Sequence, residues 1–177
     1  MIIERYAVGP LATNCYHLTC ERTGESVLID PGGLPRTLFE GGRKPQITAI
    51  LLTHGHFDHI GGAAEAAART GAPIFIHPFD DPMLTDPYLN GSGLWGTPMP
   101  PLSADRLISD GETIAFGGCT LKVLHTPGHT RGGVTFLDET GKNAFVGDLL
   151  FRLSVGRWDL DGGAYPTLMH TLKLVML

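Results

Sequence analysis

The sequence predicts an α/β fold, and three consecutive observations carry that prediction. Ile47 to Leu52 is a continuous apolar run, read as a strand buried on both faces. Directly after it comes Thr53-His54-Gly55-His56-Phe57-Asp58-His59, a polar stretch dense in metal-ligand side chains. Ala63 to Arg69 (A-A-E-A-A-A-R) is then a strong helix former. A strand, a loop of ligands and a helix is the order in which α/β sheets present their sites, at strand ends.

The other elements fit the same class. Ile2 to Val8, Asn14 to Thr19 and Ser26 to Ile29 are short apolar or β-branched strands, separated by Gly9-Pro10 and Thr23-Gly24 turns. Asp30-Pro31-Gly32-Gly33 breaks the chain at a strand end, and Leu34 to Glu40 reads as a weakly helical piece before Gly41-Gly42. Ile74 to Ile76 is a further short strand. Pro78 to Pro101 holds six of the thirteen prolines and no sustained periodicity. It predicts a long surface loop with one short helical turn, of the kind that covers sites. Strand character returns at Arg106 to Ile108, Thr113 to Phe116, Thr120 to His125, Val134 to Leu137 and Asn143 to Val146, with glycine turns between. Ala164 to Leu177 reads as a helix with Leu168, Leu172 and Val175 on one side. No repeat or domain boundary interrupts the chain.

A chain of 177 residues is enough for one domain with a substantial core. Hydrophobic residues are 42% and mean hydropathy is +0.07, so a soluble globular protein is expected. The net charge of -5 and the lack of a Lys/Arg run weigh against a nucleic-acid partner. No run approaches the roughly 18 apolar residues of a membrane span. Met1 to Tyr6 begins like a strand and has no apolar h-region, so no secretory signal is expected. The three cysteines (Cys15, Cys20, Cys119) are scattered and odd in number, which fits reduced thiols and a cytoplasmic location. No C-x-x-C pair offers a zinc thiolate site.

The chemistry concentrates at three strand ends. A lone histidine in a turn is an ordinary loop residue, but three histidines and an aspartate within six residues predict a metal site. Imidazole with carboxylate suits zinc, iron or manganese. His54 and His56 project to one side, as i and i+2 do in extended chain. Asp58 and His59, at the turn into the next element, can face a second ion. Thr126-Pro127-Gly128-His129-Thr130 presents His129 from another strand end. Phe145-Val146-Gly147-Asp148 ends a strand in an acid whose two oxygens can bridge two ions.

With those residues in view, the sequence resembles the metallo-β-lactamase superfamily, and within it the glyoxalase II-like (hydroxyacylglutathione hydrolase-like) thioesterases. The resemblance rests on Thr13-Asn14-Cys15-Tyr16, Asp30-Pro31-Gly32-Gly33, the T-H-G-H-F-D-H run, T-P-G-H-T at Thr126 to Thr130, and Gly147-Asp148, in family order over nearly the whole chain. Leu150 to Arg157 is similar to the stretch that follows the bridging aspartate in small bacterial members. The resemblance implies an αββα sandwich with a dinuclear metal site at one edge, zinc being expected and iron or manganese allowed. Carried over, His54, His56 and His129 match the first metal's ligands, Asp58 and His59 the second's, and Asp148 the bridge.

The implied reaction is hydrolysis of an S-lactoylglutathione-type thioester by metal-activated hydroxide, with Asp58 as the catalytic residue that orients it. Arg152 and Arg157 are candidates for binding the carboxylates of a glutathione-like carrier. His125, His17 and His170 match no ligand and are read as structural; His77, beside the long loop, is a candidate for approaching substrate. The sequence departs from the family in one respect. The usual further histidine, in a G-H-G type turn beyond the last helix, has no counterpart before Leu177. The expectation is therefore a single domain, C-terminally truncated, without its last strand. Two other readings stay open: a mononuclear iron persulfide dioxygenase of the same fold, and a metal-binding but degenerate protein. A β-lactamase is disfavoured by the missing signal and by the glyoxalase-like Asp58-His59 and Phe151 to Arg157 stretches.

Overall fold

The computed structural model describes residues 1–40 and 44–176, and in it two sheets face each other across a shared apolar layer. The first sheet runs β1 (Ile2–Val8), β2 (Thr13–Thr19), β3 (Glu25–Ile29), β4 (Gln46–Leu51), β5 (Ile74–Ile76) and β6 (Arg106–Leu107), in that spatial order. β1, β2 and β3 pair antiparallel across tight turns, whereas β3 to β6 pair parallel across long connections. Parallel neighbours need such crossovers. One of them carries α1 (Phe57–Ile60) and α2 (Ala63–Thr70). The second sheet is an antiparallel meander of β7 (Thr113–Phe116), β8 (Cys119–His125), β9 (Val134–Asp138) and β10 (Asn143–Phe145). A small hairpin, β11 (Leu150–Phe151) with β12 (Ser154–Val155), and α3 (Tyr165–Met176) follow.

Strand alternation sorts the side chains into two cores. Val27 and Ile29 of β3, with Ala49 and Leu51 of β4, meet Val123, Phe136 and Phe145 between the sheets. Leu28, Ile50 and Leu52 point the other way, onto Ile60 of α1 and Ala63 and Ala66 of α2. Ile47 shares that outer face with Ile50, which strict alternation forbids. A bulge accounts for it: Ser26 pairs with Ile47 but Val27 pairs with Ala49, so Thr48 is an extra residue that shifts the phase. α2 stops at Gly71, whose φ of 73° is the left-handed cap that glycine supplies.

Several elements differ from the sequence reading. α1 is a four-residue helix inside the ligand run, too short to show a period. β10 ends at Phe145 because Val146 turns helical (φ -101°, ψ -2°). The hairpin β11–β12 sits where no strand was expected, turned by Leu153 at φ 68°. Only Arg36–Leu38 of the Leu34 to Glu40 piece forms a helical turn, and the loop after Pro78 carries its one expected turn at Asp81–Leu84. On α3, Leu168 and Leu172 are buried against Leu149, but Val175 is exposed. Gly41, Gly42 and Leu177 lie outside the described residues.

Candidate metal centre

Four chain segments deliver side chains to one edge of the sandwich. His54 and His56 leave the end of β4, Asp58 and His59 ride on α1, His129 follows β8, and Asp148 follows β10. The His54 ring lies 4.9, 4.0 and 4.8 Å from those of His56, His59 and His129. All four are buried. Among the described residues two groups of ligand atoms lie within 4.8 Å of one another: His54, His56 and His129, and His54, His59 and Asp148. His54 belongs to both. Asp148 spans them, with Oδ1 3.1 Å from His59 Nε2 and Oδ2 3.6 Å from His129 Nε2.

The hydrogen-bond network decides which ring nitrogens keep a lone pair. Thr53 Oγ1 has one proton and donates it to Asp30 Oδ2 at 2.6 Å. Its contact with His54 Nδ1, at 3.1 Å, therefore has His54 as donor, and His54 Nε2 keeps its lone pair. His59 Nδ1 donates to the same Asp30 Oδ2 at 2.9 Å, leaving Nε2 to face Asp148. His129 Nδ1 donates to the Arg157 carbonyl at 2.7 Å, leaving Nε2 2.9 Å from His56 Nδ1. Two nitrogens on one tetrahedral ion at about 2.0–2.1 Å stand about 3.3 Å apart, close to that separation. Nε2 of His54 and of His56 are buried and have no hydrogen-bond partner. The bare His54 nitrogen, beside His56 Nδ1, His129 Nε2 and the Asp148 carboxylate, fits a divalent cation, whereas His56 Nε2 lies on the other edge of its ring. His17 Nε2 is also without a partner, but no metal-type group includes it.

Charge follows the same division. Burial first, then the neighbouring histidines, hold His54 far below the ordinary imidazole range and His56 at about 3. Burial pulls His59 down too, but the Asp30 and Asp148 carboxylates outweigh it and carry His59 up to about 10. Burial raises Asp148, yet its bond to His59 and the charges around it bring it below the usual carboxylate range.

Two buried aspartates organise the ligands without joining either group. Asp30, at φ 48°, accepts Thr53 N–H at 2.7 Å as well as the Thr53 hydroxyl and the His59 ring. Asp80 accepts Gly55 N–H at 3.2 Å, Thr130 Oγ1–H at 2.7 Å and Gly132 N–H at 2.6 Å, so it ties the His54 loop to the His129 loop. Burial pushes its carboxyl up against those donors. Gly147 explains the small residue before Asp148: its φ is +52°, and a Cβ there would stand 2.3 Å from Thr53 Oγ1. The sequence reading placed Asp30 in a motif and missed Asp80 altogether.

Asp58 sits beside both groups and in neither. Thr13 donates to its Oδ2 at 2.8 Å, and the same oxygen is 3.5 Å from His59 Nε2. Asp58 and Asp148 line two clefts, one on either side. A cleft of about 370 Å³ adds Asp30, His59 and Arg152, and another of about 500 Å³ adds His56, His129, Trp95 and Arg157. Arg157 is paired through Nε and Nη2 with Asp159, at 2.8 and 2.9 Å. The long Pro78–Pro101 loop supplies Trp95, whose ring lies 5.5 Å from Phe57. His77 does not reach the cluster; it stacks on His125 at 4.3 Å. His17 pairs with Glu4 across β1 and β2, and His170 lies on α3.

The model of the Metallo-beta-lactamase superfamily matches residues 8–177. The chain belongs to that superfamily. The crystal structure of BLEG-1 B3 metallo-beta-lactamase superposes with a TM-score of 0.89 at 37% identity, covering 97% of this chain and 84% of that one. The crystal structure of TTHA1623 in a di-iron-bound form gives 0.84 at 38% identity, over 98% and 85%. The hydroxyacylglutathione hydrolase GloC of Haemophilus influenzae is 32% identical over 181 residues, which span 100% of this chain and 85% of GloC. The metallo-beta-lactamase fold expected from the motifs is thus the fold of the chain. Among the described residues no helix is long and apolar enough to cross a membrane.

Proposed function

We propose that the chain is a metal-dependent hydrolase that cleaves a thioester of the hydroxyacylglutathione type. The observation that carries the reading is Asp148, whose two oxygens face a histidine from each ligand group. In this reading His54, His56 and His129 would hold one ion, His59 with Asp58 would hold a second, and Asp148 would serve both. Zinc is the expected metal, and iron or manganese would suit the same donors. Bound ions of this kind activate water near neutral pH and polarise an acyl oxygen. The chain's own residues then do the rest. Thr13 fixes Asp58 through Oδ2, which leaves Oδ1 to orient the attacking water and take its proton. Asp30 and the Arg157 carbonyl accept from the Nδ1 side of His59 and His129 and so fix how those rings are turned. Phe57, Trp95 and Leu94 give one flank of the larger cleft an apolar lining.

The similarity to GloC supports the glutathione-type substrate. Of the two arginines, Arg152 is the better carboxylate receptor: it lines the smaller cleft, while the Arg157 guanidinium is already taken by Asp159. Arg152→Ala should raise KM for S-D-lactoylglutathione about tenfold, the scale of one charge-assisted contact, with kcat little changed. Arg157→Ala should do less.

The deciding experiment measures metal content per chain and hydrolysis of S-D-lactoylglutathione on one sample. Two ions and a turnover abolished by chelator support the proposal. One iron, no hydrolysis and oxygen uptake with glutathione persulfide would replace it with the dioxygenase. Nitrocefin turnover in place of thioester cleavage would make it a lactamase.

A further inference from the structure

The two clefts that share Asp58 and Asp148 are lined by opposite chemistry. In the smaller, Arg152 stands with Thr13, Asn14 and Tyr16, so that wall offers a charge and polar groups. In the larger, Leu11, Phe57, Leu94, Trp95 and Leu160 gather beside His56 and His129. Among the described residues that line the larger cleft, the one arginine or lysine is Arg157, and Asp159 already occupies its guanidinium. A bond cleaved beside the two shared aspartates would therefore have a polar wall on one side and an apolar wall on the other.

Four separate segments build the apolar wall. Leu11 lies in the turn between β1 and β2, Phe57 opens α1, Leu94 and Trp95 belong to the long loop after Pro78, and Leu160 precedes α3. Leu94, Trp95 and Leu11 are 68%, 59% and 45% exposed. One exposed leucine is ordinary on a protein surface, but large apolar side chains from distant segments meeting over one cleft mark a binding surface. The loop that carries two of them is pinned. The buried Asn90 accepts Phe57 N–H on its carbonyl at 2.9 Å, and its side chain bonds the Met83 carbonyl and Ser92 N–H, each at 2.9 Å. Leu94 and Trp95 then donate their N–H groups to the Gly91 carbonyl at 3.1 and 3.3 Å, and the Trp95 ring leans on Phe57 at 47°. The wall stands in place without a ligand, so a group entering it has little to order.

We propose that the larger cleft is an acyl subsite, and that the acyl group it takes bears an aryl or branched apolar side chain, the thiol carrier lying in the Arg152 cleft. The inference rests on the hydrolase reading above and narrows its substrate. A cleft of about 500 Å³ falls among pockets that enclose a drug-sized group, and the methyl of a lactoyl ester would leave most of it to water. A phenyl ring there would bury apolar surface and meet two aromatic rings.

The test compares S-D-lactoylglutathione with S-D-mandeloylglutathione on the metal-loaded full chain. The two esters share carrier and hydroxyl and differ by phenyl in place of methyl. The mandeloyl ester should have a kcat/KM about tenfold higher, the scale of a filled apolar pocket. Trp95→Ala should bring that ratio close to one, and Trp95→Phe should keep most of it. A second readout needs no turnover. S-benzylglutathione should bind about tenfold more tightly than S-methylglutathione in a calorimetric titration, and Trp95→Ala should close the gap. Equal binding of these two unhydrolysable thioethers, or a gap that Trp95→Ala leaves untouched, would overturn the subsite. Cleavage of both esters with equal kcat/KM would also overturn it, while the hydrolase reading stood. Cleavage of neither ester, with the thioether gap intact and dependent on Trp95, would remove the hydrolase reading and support the apolar subsite.

Discussion

Two sets of histidines sit on neighbouring loops of this chain, and they are built on opposite rules. His77 and His125 stack flat, 4.3 Å apart with planes only 2° apart. Their nitrogens are served by backbone: Phe79 N–H donates to His77 Nδ1, and His125 Nε2 donates to the Arg131 carbonyl. In the metal centre the rings meet edge-on, with 88°, 81° and 76° between His54, His56 and His129. Edge-on rings converge their lone pairs, whereas stacked rings send them outward side by side. The far nitrogens differ as well. Thr53 and Asp30 accept from the outer nitrogens of His54 and His59, so the inner nitrogen of His54 is left bare and that of His59 faces Asp148. Histidine density alone does not make a ligand set; the fixed tautomer does.

That contrast can be broken most strongly at Asp30. Asp30→Ala removes the acceptor for Thr53 and His59 together, and metal affinity should fall about 10–100-fold in a competition titration. Its buried donors, left unpaired, should also cost about 1–3 kcal/mol each in chemical denaturation. If affinity holds, the tautomer argument fails. Gly147→Ala comes next: left-handed backbone costs a residue with a Cβ about 1–2 kcal/mol, and the added methyl displaces Thr53. Metal content should fall with stability. Thr53→Val is smaller still, since Asp30 keeps His59 while His54 loses its acceptor; a several-fold drop in affinity is expected.

The stacked pair should sharpen the contrast from the other side. Burial, then the His125 ring, pulls His77 from 6.5 to about 4, against a smaller pull from Asp110. A histidine held below its unfolded value contributes stability that is whole above pH 6.5 and is lost as pH falls towards 4. With chelator present throughout, His77→Gln should flatten the fall of Tm across that window. Metal affinity should not change. A change would draw the stack into the metal site.

The clustered side chains were legible because their signal is local: His54 to His59 lie within six residues, and His129 and Asp148 each follow an apolar strand. The strands were legible for the same reason, since β-branched runs and glycine turns mark them. What escaped is held by distance or brevity. Asp80 is one aspartate in a proline-rich loop, and its partners lie 25, 50 and 52 residues away. The Thr48 bulge adds a single residue and leaves no mark in an apolar run. α1 has four residues, fewer than two helical turns. His77, a candidate for approaching substrate from its place beside the loop, stacks on His125.

Asp80 has a consequence for the order of events in maturation. Its three bonds are made wholly by protein, and they fasten the loop bearing His54 and His56 to the loop bearing His129. The distance between those loops is therefore set when the chain folds, and the ordering entropy is spent then. An arriving ion meets a seat already cut to size. The latch that holds those loops together is a carboxylate outside both ligand groups.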